Sequence, residues 1–195
     1  MENTPRMETS RLVLRKFEAR DQKALFDIMR DEETNRFLPW FPCKSIKEAA
    51  RLLESYLENY EKGAGQRWAV CEKEDDVPIG YVHVASDDSH DFGYGFRHEF
   101  WGRGYCTEAA SAAVARLAAD GLPYITATHD VENPKSGAVM QKIGMHYQYS
   151  YQEDWQPKNI PVIFRMYQLN FDGNLGRRYE KYWEKYPHFI EQAVH

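Results

Sequence analysis

The sequence predicts one mixed α/β domain, and three patterns lead to this prediction. Apolar and polar residues alternate in residues 11–15 and 79–84, as they do in strands. Residues 46–60 place their apolar side chains at helical spacing. Residues 92–129 then read as a strand, a glycine turn, a long alanine-rich helix and a second strand. Because a helix joins these two strands, they should lie parallel in an otherwise antiparallel sheet.

Composition and charge narrow the class of protein. The chain has 195 residues, of which 43% are apolar and 28% charged, which is ordinary for one soluble globular domain. The formal net charge of −5 gives no general attraction to nucleic acid and suits an amine or a basic peptide substrate. No apolar run is long enough to span a membrane, and the first residues lack a signal-peptide pattern. Three cysteines without a Cys-x-x-Cys pair indicate reduced thiols, so a cytoplasmic protein is expected.

The first part of the chain alternates short elements with loops. Residues 1–8 are expected to be a flexible N-terminus, and Asp21 can cap a helix that ends near Arg30. Residues 31–42 form a break that contains several aromatic side chains, among them Phe37 and Trp40. These aromatics either close the core or form the wall of a binding site, and the residues alone leave both interpretations open.

The middle of the chain has clear helix and strand signals. Ser45 and Glu48 form a capping box, and Gly63 can end the helix that follows. Residues 67–71 and 79–84 read as antiparallel strands that lead towards the glycine turn. Gly121 can end the alanine-rich helix, and the next strand covers residues 124–129.

The last part of the chain contains signals for another helix, a last strand and a C-terminal extension. Asn133 and Pro134 fit the cap and first position of a helix that Gly144 stops. Residues 160–169 read as the last strand. Residues 171–195 are expected to form a helical extension, one face of which packs on the domain or on a second subunit. That face contains four aromatic residues: Tyr179, Tyr182, Trp183 and Tyr186.

The glycine turn before the long helix is a candidate anion site. Gly102 and Gly104 let the backbone approach a ligand closely, and the free N–H groups at a helix start favour phosphate. A P-loop is unlikely here because Tyr105 follows the second glycine where that motif requires lysine. A dinucleotide site is a weak alternative, since Thr107 replaces the third glycine, although Asp130 could imitate the acid that binds ribose.

Residues 101–109, Trp-Gly-Arg-Gly-Tyr-Cys-Thr-Glu-Ala, resemble the acyl-CoA-binding motif of the GNAT N-acetyltransferase superfamily. The run is most similar to the branch of ribosomal-protein N-terminal (alanine/serine) acetyltransferases. It departs from the wider motif at Trp101, which stands at the Gln/Arg position, and at Cys106, which stands at the small-residue position. The resemblance spans roughly residues 9–170, and it implies a largely antiparallel mixed sheet flanked by helices, with a central pair of parallel strands that splay apart.

A second segment, residues 133–145, resembles the family's Asn-x-x-Ser…Lys-x-Gly-Phe segment, with Met145 in place of Phe. Many members carry a tyrosine that protonates the leaving thiolate, and this chain has Met140 at that position. In the ribosomal-protein branch a serine is the suggested donor, which implies Ser136, with Asn133 also in the catalytic site.

The resemblance implies acetyl-CoA as co-substrate, with its pantetheine arm between the splayed strands. It implies eleven residues for binding the cofactor: Phe96, Arg97, Trp101, Gly102, Arg103, Gly104, Tyr105, Cys106, Thr107, Asn133 and Ser136. Cys106 could act as a nucleophile at its helix start, but direct transfer makes that step unnecessary. No set of residues has recognisable metal spacing, so no metal is expected.

A base must take the proton of the attacking amine. Glu153, placed in a loop after residue 151, is the first choice, and the other candidates are Asp154, His83, Asp91 and Glu18. His83 is flanked by two valines that point the opposite way, which favours a structural role. The predicted acceptor-binding side chains are three aromatics: Phe37, Trp40 and Tyr94.

The sequence thus predicts an acetyl-CoA-dependent N-acetyltransferase that moves an acetyl group to a primary amine by direct attack in a ternary complex. The acceptor is a small molecule or a protein N-terminus, and no nucleic-acid or membrane partner is expected. The alternative is a non-catalytic acyl-CoA sensor on the same fold, and a dinucleotide oxidoreductase is a distant third. The protein is expected to be a monomer or a homodimer.

Overall fold

The computed structural model describes residues 3–192, which form two sheets side by side. The first sheet has the strand order β1-β2-β3-β4-β5, and the second has the order β6-β8-β7-β9. The strands are β1 (Met7–Glu8), β2 (Leu12–Arg15), β3 (Gln66–Glu72), β4 (Pro78–Val84), β5 (Phe92–Phe96), β6 (Tyr124–Asp130), β7 (His146–Trp155), β8 (Ile160–Asn170) and β9 (His188–Phe189). The helices are α1 (Gln22–Arg30), α2 (Glu32–Asn35), α3 (Ile46–Lys62), α4 (Tyr105–Ala119), α5 (Pro134–Lys142) and α6 (Lys181–Lys185).

The helix boundaries follow the capping signals in the sequence. The Ser45 side chain accepts a hydrogen bond from the Glu48 N–H at the start of α3, and Gly63 ends that helix in the left-handed conformation. The Asn133 side chain caps α5 in the same way, with Pro134 at its first position. These boundaries confirm the predicted capping of both helices.

The two sheets meet at β5 and β6, which are parallel. Every strand pair within a sheet is antiparallel, and in the described part of the chain a single parallel bridge joins the two sheets, between Asp91, which precedes β5, and Thr126 of β6. Beyond that bridge the strands are not paired, so a gap opens along β5 towards Phe96. The predicted fold, with its splayed central pair, is therefore confirmed.

The core lies on both faces of the first sheet. One cluster joins β2–β5 to α4 and α5 through residues such as Trp68 and Leu117, and it extends to β6. A second cluster joins the opposite face to α1 and α3 through residues such as Leu25 and Tyr81. The gap between β5 and β6 is therefore bordered by a helical layer on each side.

Three parts of the chain differ from the predicted elements. Residues 31–42 contain a short helix, α2, where the sequence predicted a break. β7 continues to Trp155, so Glu153 and Asp154 lie in a strand and not in a loop. Thr4 is buried and β1 pairs with β2, so the described part of residues 1–8 packs on the domain.

The C-terminal segment also differs from the helical extension that was predicted. Its helix, α6, has only five residues, and β9 then pairs with β7; residues 193–195 lie outside the described part. The aromatic face is nevertheless packed on the domain, where the Tyr182 and Tyr186 rings stack on Tyr151 at 5.1 and 5.3 Å between centroids. The segment thus covers the face of the second sheet that continues the α1 and α3 side.

Candidate active site

The glycine turn and the start of α4 form an exposed site with free backbone donors. Gly102 and Gly104 have φ angles of 74° and 79°, a conformation that side chains rarely adopt. A Cβ at Gly102 would meet no heavy atom within 4 Å. Gly104 is the N-cap of α4, and no side chain caps the helix, so its first N–H groups are left for a ligand. Such groups at a helix start bind phosphate well.

Arg11 and Glu108 hold this turn on the end of the first sheet. The Arg11 guanidinium donates to Glu108 Oε2 at 2.7 Å and to the Arg103 carbonyl at 2.9 Å. Glu108 Oε1 also accepts hydrogen bonds from Thr9, Ser10 and the Arg11 N–H. Although burial opposes ionisation, these hydrogen bonds lower the pKa of Glu108 to about 2.

Glu108→Gln is expected to lower the free energy of unfolding at pH 7 by about 1–2 kcal/mol. The folded-state pKa lies below the ordinary 4.5, so the stabilisation is complete above that pH and is lost as pH falls towards 2. The variant should therefore lose less stability than the wild type over this window. Urea unfolding at pH 7, 4 and 3 measures both effects, and Glu58→Gln, on the exposed face of α3, is the control. Equal acid sensitivity of Glu108→Gln and wild type would contradict the assignment.

The backbone groups of β5 and of Arg97 face either β4 or the gap between the sheets. The Arg97 N–H donates to the Ile79 carbonyl, so it faces β4 and not the gap, which corrects its predicted place beside the pantetheine arm. Because facing directions alternate along an antiparallel pair, Tyr94 and Phe96 direct their N–H and C=O groups into the gap. The Phe96 carbonyl already accepts hydrogen bonds from Thr34 Oγ1 at 2.8 Å and Trp101 Nε1 at 2.7 Å. The Phe96 N–H and the Tyr94 backbone are therefore the groups open to an extended ligand.

Thr34 is a site residue that the sequence analysis missed because it treated residues 31–42 as a break. Asp31 followed by two acidic residues is a helix-start pattern, and its side chain indeed caps α2 by accepting from the Thr34 N–H at 2.9 Å. That pattern could have placed α2, but the contact of Thr34 with Phe96 depends on the tertiary fold.

The side chains around the turn connect it to α5. The Trp101 indole lies 5.1 Å below the Lys135 ammonium, in addition to its bond to β5. The Tyr105 hydroxyl donates to Glu72 Oε1 at 2.7 Å, which fixes the first turn of α4. Burial raises the pKa of the Cys106 thiol, so Cys106 does not have the activated setting that a nucleophile at a helix start would need.

Tyr94 and Ser136 meet across the gap. The Tyr94 hydroxyl donates to the Ser136 carbonyl at 2.7 Å and lies 3.1 Å from Ser136 Oγ. The Asn133 side chain accepts from the Ser136 N–H, so it fixes the first turn of α5. The structure thus brings together three of the predicted site residues, one from β5 and two from the start of α5.

The candidate bases have different surroundings. Burial and Arg67 lower the pKa of His83 to about 3, so its imidazole is a poor proton acceptor at neutral pH. Glu18 is exposed and paired with Arg20, and Asp154 is exposed on β7. Glu153 Oε1 accepts a hydrogen bond from the Tyr186 hydroxyl at 2.8 Å, so the C-terminal segment positions this carboxylate.

Asp91 is the candidate base that lies where the two sheets meet. It immediately precedes β5 and forms the bridge to Thr126, where the gap begins. Alternation along the strand puts it on the same face as Gly93 and Gly95, where the His83 and Tyr81 rings cover the two glycines. Burial, with a smaller effect of Asp87, raises the pKa of Asp91 to about 6, a value suited to a base near neutral pH.

The aromatic residues after α2, Phe37 and Trp40, pack in different ways. The Trp40 indole donates to Asn35 Oδ1 at 2.8 Å and packs on the core cluster of α1 and α3, so part of its role is to close the core. Phe37 is half-buried beneath the Arg36 guanidinium. Lys158, in the turn between β7 and β8, donates to the carbonyls of Asn35 and Arg36. This contact holds the aromatic loop at the edge of the second sheet.

None of the helices between residues 3 and 192 is long and apolar enough to cross a membrane. Within the same residues, no group of three or more His, Cys, Asp and Glu side chains could hold a metal ion.

Comparisons with known proteins agree with this geometry. The sequence profile of the acetyltransferase (GNAT) domain matches residues 11–146. YoaA of Bacillus subtilis (strain 168), an uncharacterized N-acetyltransferase, is 28% identical over 158 residues, which cover 76% of this chain and 89% of that protein. Among solved structures, a GNAT-family acetyltransferase of Bacillus anthracis has a TM-score of 0.75 at 21% identity and covers 86% of this chain and 99% of its own. RimL, a ribosomal L7/L12 alpha-N-protein acetyltransferase solved with coenzyme A, has a TM-score of 0.77 at 16% identity. The match covers 87% of this chain and 100% of the RimL chain.

Proposed function

Because the chain belongs to the GNAT acetyltransferase family and is an acyltransferase, we propose that it transfers the acetyl group of acetyl-CoA to a primary amine. The observation that carries the proposal is the uncapped start of α4 beside a gap in the sheet. The start of α4 suits the cofactor's pyrophosphate, and the gap suits its extended pantetheine arm. RimL acts on a ribosomal protein's N-terminus, so a protein N-terminus and a small-molecule amine are both possible acceptors here.

The residues at the glycine turn fit acetyl-CoA. The free N–H groups of the first turn of α4 would bind the pyrophosphate, and Arg103, exposed in the turn, would add positive charge. The backbone groups of Phe96 and Tyr94 that face the gap would pair with the pantetheine arm. A thioester held there is the acyl donor, and the Tyr94 N–H is placed to stabilise the oxyanion that forms when an amine attacks.

Two carboxylates border the acceptor side and can take the proton of the amine. We place Asp91 ahead of Glu153 because it lies at the bridge where the gap begins and its pKa of about 6 matches the task. The Ser136 and Tyr94 hydroxyls meet on the opposite face of the sheet, where a hydroxyl proton can reach the departing thiolate. The Ser136 hydroxyl would give up its proton and Tyr94 would hold its orientation. Positioning of the amine and the thioester supplies much of the acceleration.

The test of the proposed function is acetyl-CoA turnover. Release of free thiol is measured with a panel of small amines and of peptides with free N-termini, and binding is measured separately by thermal stability. Ligand at 100 times its Kd should add about 2.7 kcal/mol of stability. Stabilisation by acetyl-CoA together with amine-dependent thiol release would support the enzyme. Stabilisation without turnover on any amine would favour a sensor that uses the same pocket, and no stabilisation would contradict both.

Ser136→Ala is expected to lower kcat about tenfold while the Kd of acetyl-CoA stays within about twofold. The loss is limited because a solvent molecule can replace a hydroxyl proton donor. Tyr94→Phe should give a smaller decrease, since it removes only the group that orients Ser136. Ser111→Ala, on the exposed side of α4, is the control. Steady-state kinetics and calorimetry measure the two quantities, and an unchanged kcat in Ser136→Ala would rule out its role in proton transfer.

A further inference from the structure

A cavity of about 310 Å³ lies on the face of the first sheet opposite α4. It opens between the C-terminal end of α3 and the adjoining ends of β3 and β4. Its lining includes Tyr56, Asn59, Arg67, His83 and Asp87. Small-molecule sites begin at about this volume. We call it the Arg67 pocket.

Arg67 brings an uncompensated positive charge to this cavity. Across residues 3–192 its guanidinium forms no ion pair, which sets it apart from most arginines of the chain. It lies over the Tyr56 ring at 4.3 Å from the centroid, and its Nη1 is 3.4 Å from the Tyr56 hydroxyl. A half-buried guanidinium held by stacking and one long hydrogen bond has most of its donors free for a ligand.

Two unsatisfied polar atoms lie on the same face of the sheet as Arg67. The buried side-chain atoms Tyr81 Oη and His83 Nδ1 lack a hydrogen-bond partner in the described residues. His83 lines the cavity, and the Tyr81 ring is 5.7 Å from the Arg67 guanidinium. A buried polar atom without a partner is costly, so His83 Nδ1 at the cavity wall indicates that a ligand completes it.

The cavity is one strand away from the gap. His83 packs on Gly93 and Tyr81 on Gly95, so closely that a Cβ at either glycine would lie 2.3 or 2.7 Å from the ring. Tyr94, between these glycines, borders the gap with its backbone. Neighbouring strands are about 5 Å apart, so the cavity lies within the length of one small molecule from the gap, with the His83 and Tyr81 rings between them.

We propose that the Arg67 pocket binds a carboxylate of the acceptor, so that the acceptor is an amino acid or another amine that carries a carboxylate. This inference rests on the proposed function. A carboxylate accepts two parallel hydrogen bonds from a guanidinium, and the neutral His83 imidazole, which lines the cavity, supplies a further donor. Asp87, the acid on the rim, already accepts a hydrogen bond from the Ser89 N–H at 2.9 Å. Polyamines and other polycations would be repelled by Arg67.

The first test compares phenylalanine with phenethylamine, which differs from it only by the missing carboxylate. The wild type should acetylate phenylalanine with a kcat/KM about 10–100-fold higher, as expected for a charge-assisted hydrogen-bonded pair. Arg67→Gln should reduce this ratio to about one, and Arg67→Lys should keep part of it. Arg51→Gln, on the exposed face of α3, should leave it unchanged. A wild type that prefers phenethylamine, or an Arg67→Gln variant with an unchanged ratio, would overturn the proposal.

The second test needs no turnover, so it separates failure of the pocket from failure of the proposed function. Calorimetry measures binding of N-acetylphenylalanine to the wild type and to Arg67→Gln. Binding that weakens about tenfold or more in the variant supports the pocket even if no amine is acetylated, and equal binding overturns it. The phosphonate analogue of phenylalanine is titrated in the same way. If it binds the wild type more than about tenfold better than the carboxylate, the site is one for phosphate groups and the carboxylate assignment is wrong.

Discussion

Asp91→Asn is expected to lower kcat for acetyl transfer by about 10²–10⁴-fold, which is the range for loss of a general base. The same substitution should raise stability at pH 7.5. The raised pKa of Asp91 means that ionisation destabilises the folded state, and this penalty appears as pH rises from about 4 to about 6. Asparagine cannot ionise, so we expect a gain of about 1–2 kcal/mol above that window.

Two comparisons make this prediction specific. The wild-type kcat/KM should rise with pH through about 6 and then level off, and Asp91→Asn should lose that step. Glu153→Gln is measured beside it, with Asp154→Asn as the exposed control on the same strand. If Glu153→Gln alone abolishes activity and the pH step, Glu153 is the base. If Asp91→Asn loses activity and also stability, Asp91 has a structural role instead.

Gly104→Asp should raise the Kd of acetyl-CoA about 10²-fold relative to Gly104→Asn. Both side chains tolerate the left-handed conformation of this position better than other residues do, so the two variants should lose similar stability. Only the aspartate puts a negative charge where the pyrophosphate would bind. A Cβ at this position would lie 3.4 Å from an Arg11 nitrogen, which leaves enough room for either side chain.

Calorimetry with acetyl-CoA and with desulfo-CoA measures this effect, and urea unfolding verifies that both variants fold. The pair is matched in size, so the difference in Kd reports the charge. Equal affinities for the two variants would show that the pyrophosphate does not lie at the start of α4. In that case the gap between β5 and β6 would have to bind the cofactor without the glycine turn.

Elements with strong local signals were predictable from the sequence. The capping box of α3 and the Asn133-Pro134 start of α5 are decided within a few residues, so their boundaries agree with the structure. The opposite orientation of His83 to its neighbouring valines is also confirmed, because alternation along a strand is a local property. The glycine turn was found through its motif and its expected helix start.

The remaining features depend on contacts between distant residues. The polar end of β7 gives no strand signal, and it is a strand because β8 pairs with it as far as Trp155 and Ile160. α2 has only four residues, too few for a periodic pattern. The pairing of Tyr94 with Ser136 joins residues 42 positions apart, so only the folded chain shows it. The cluster around Arg67 likewise becomes visible only when hydrogen bonds are accounted for in three dimensions.

β9 pairs with β7 through only two residues, opposite Ser150 and Tyr151, yet it occupies the outer side of the second sheet. Without it, the N–H and C=O groups in the middle of a ten-residue strand would face solvent. Such an open edge is a template on which another chain can add a strand. The short C-terminal strand therefore protects the protein from edge-to-edge aggregation, and it does so with only two residues.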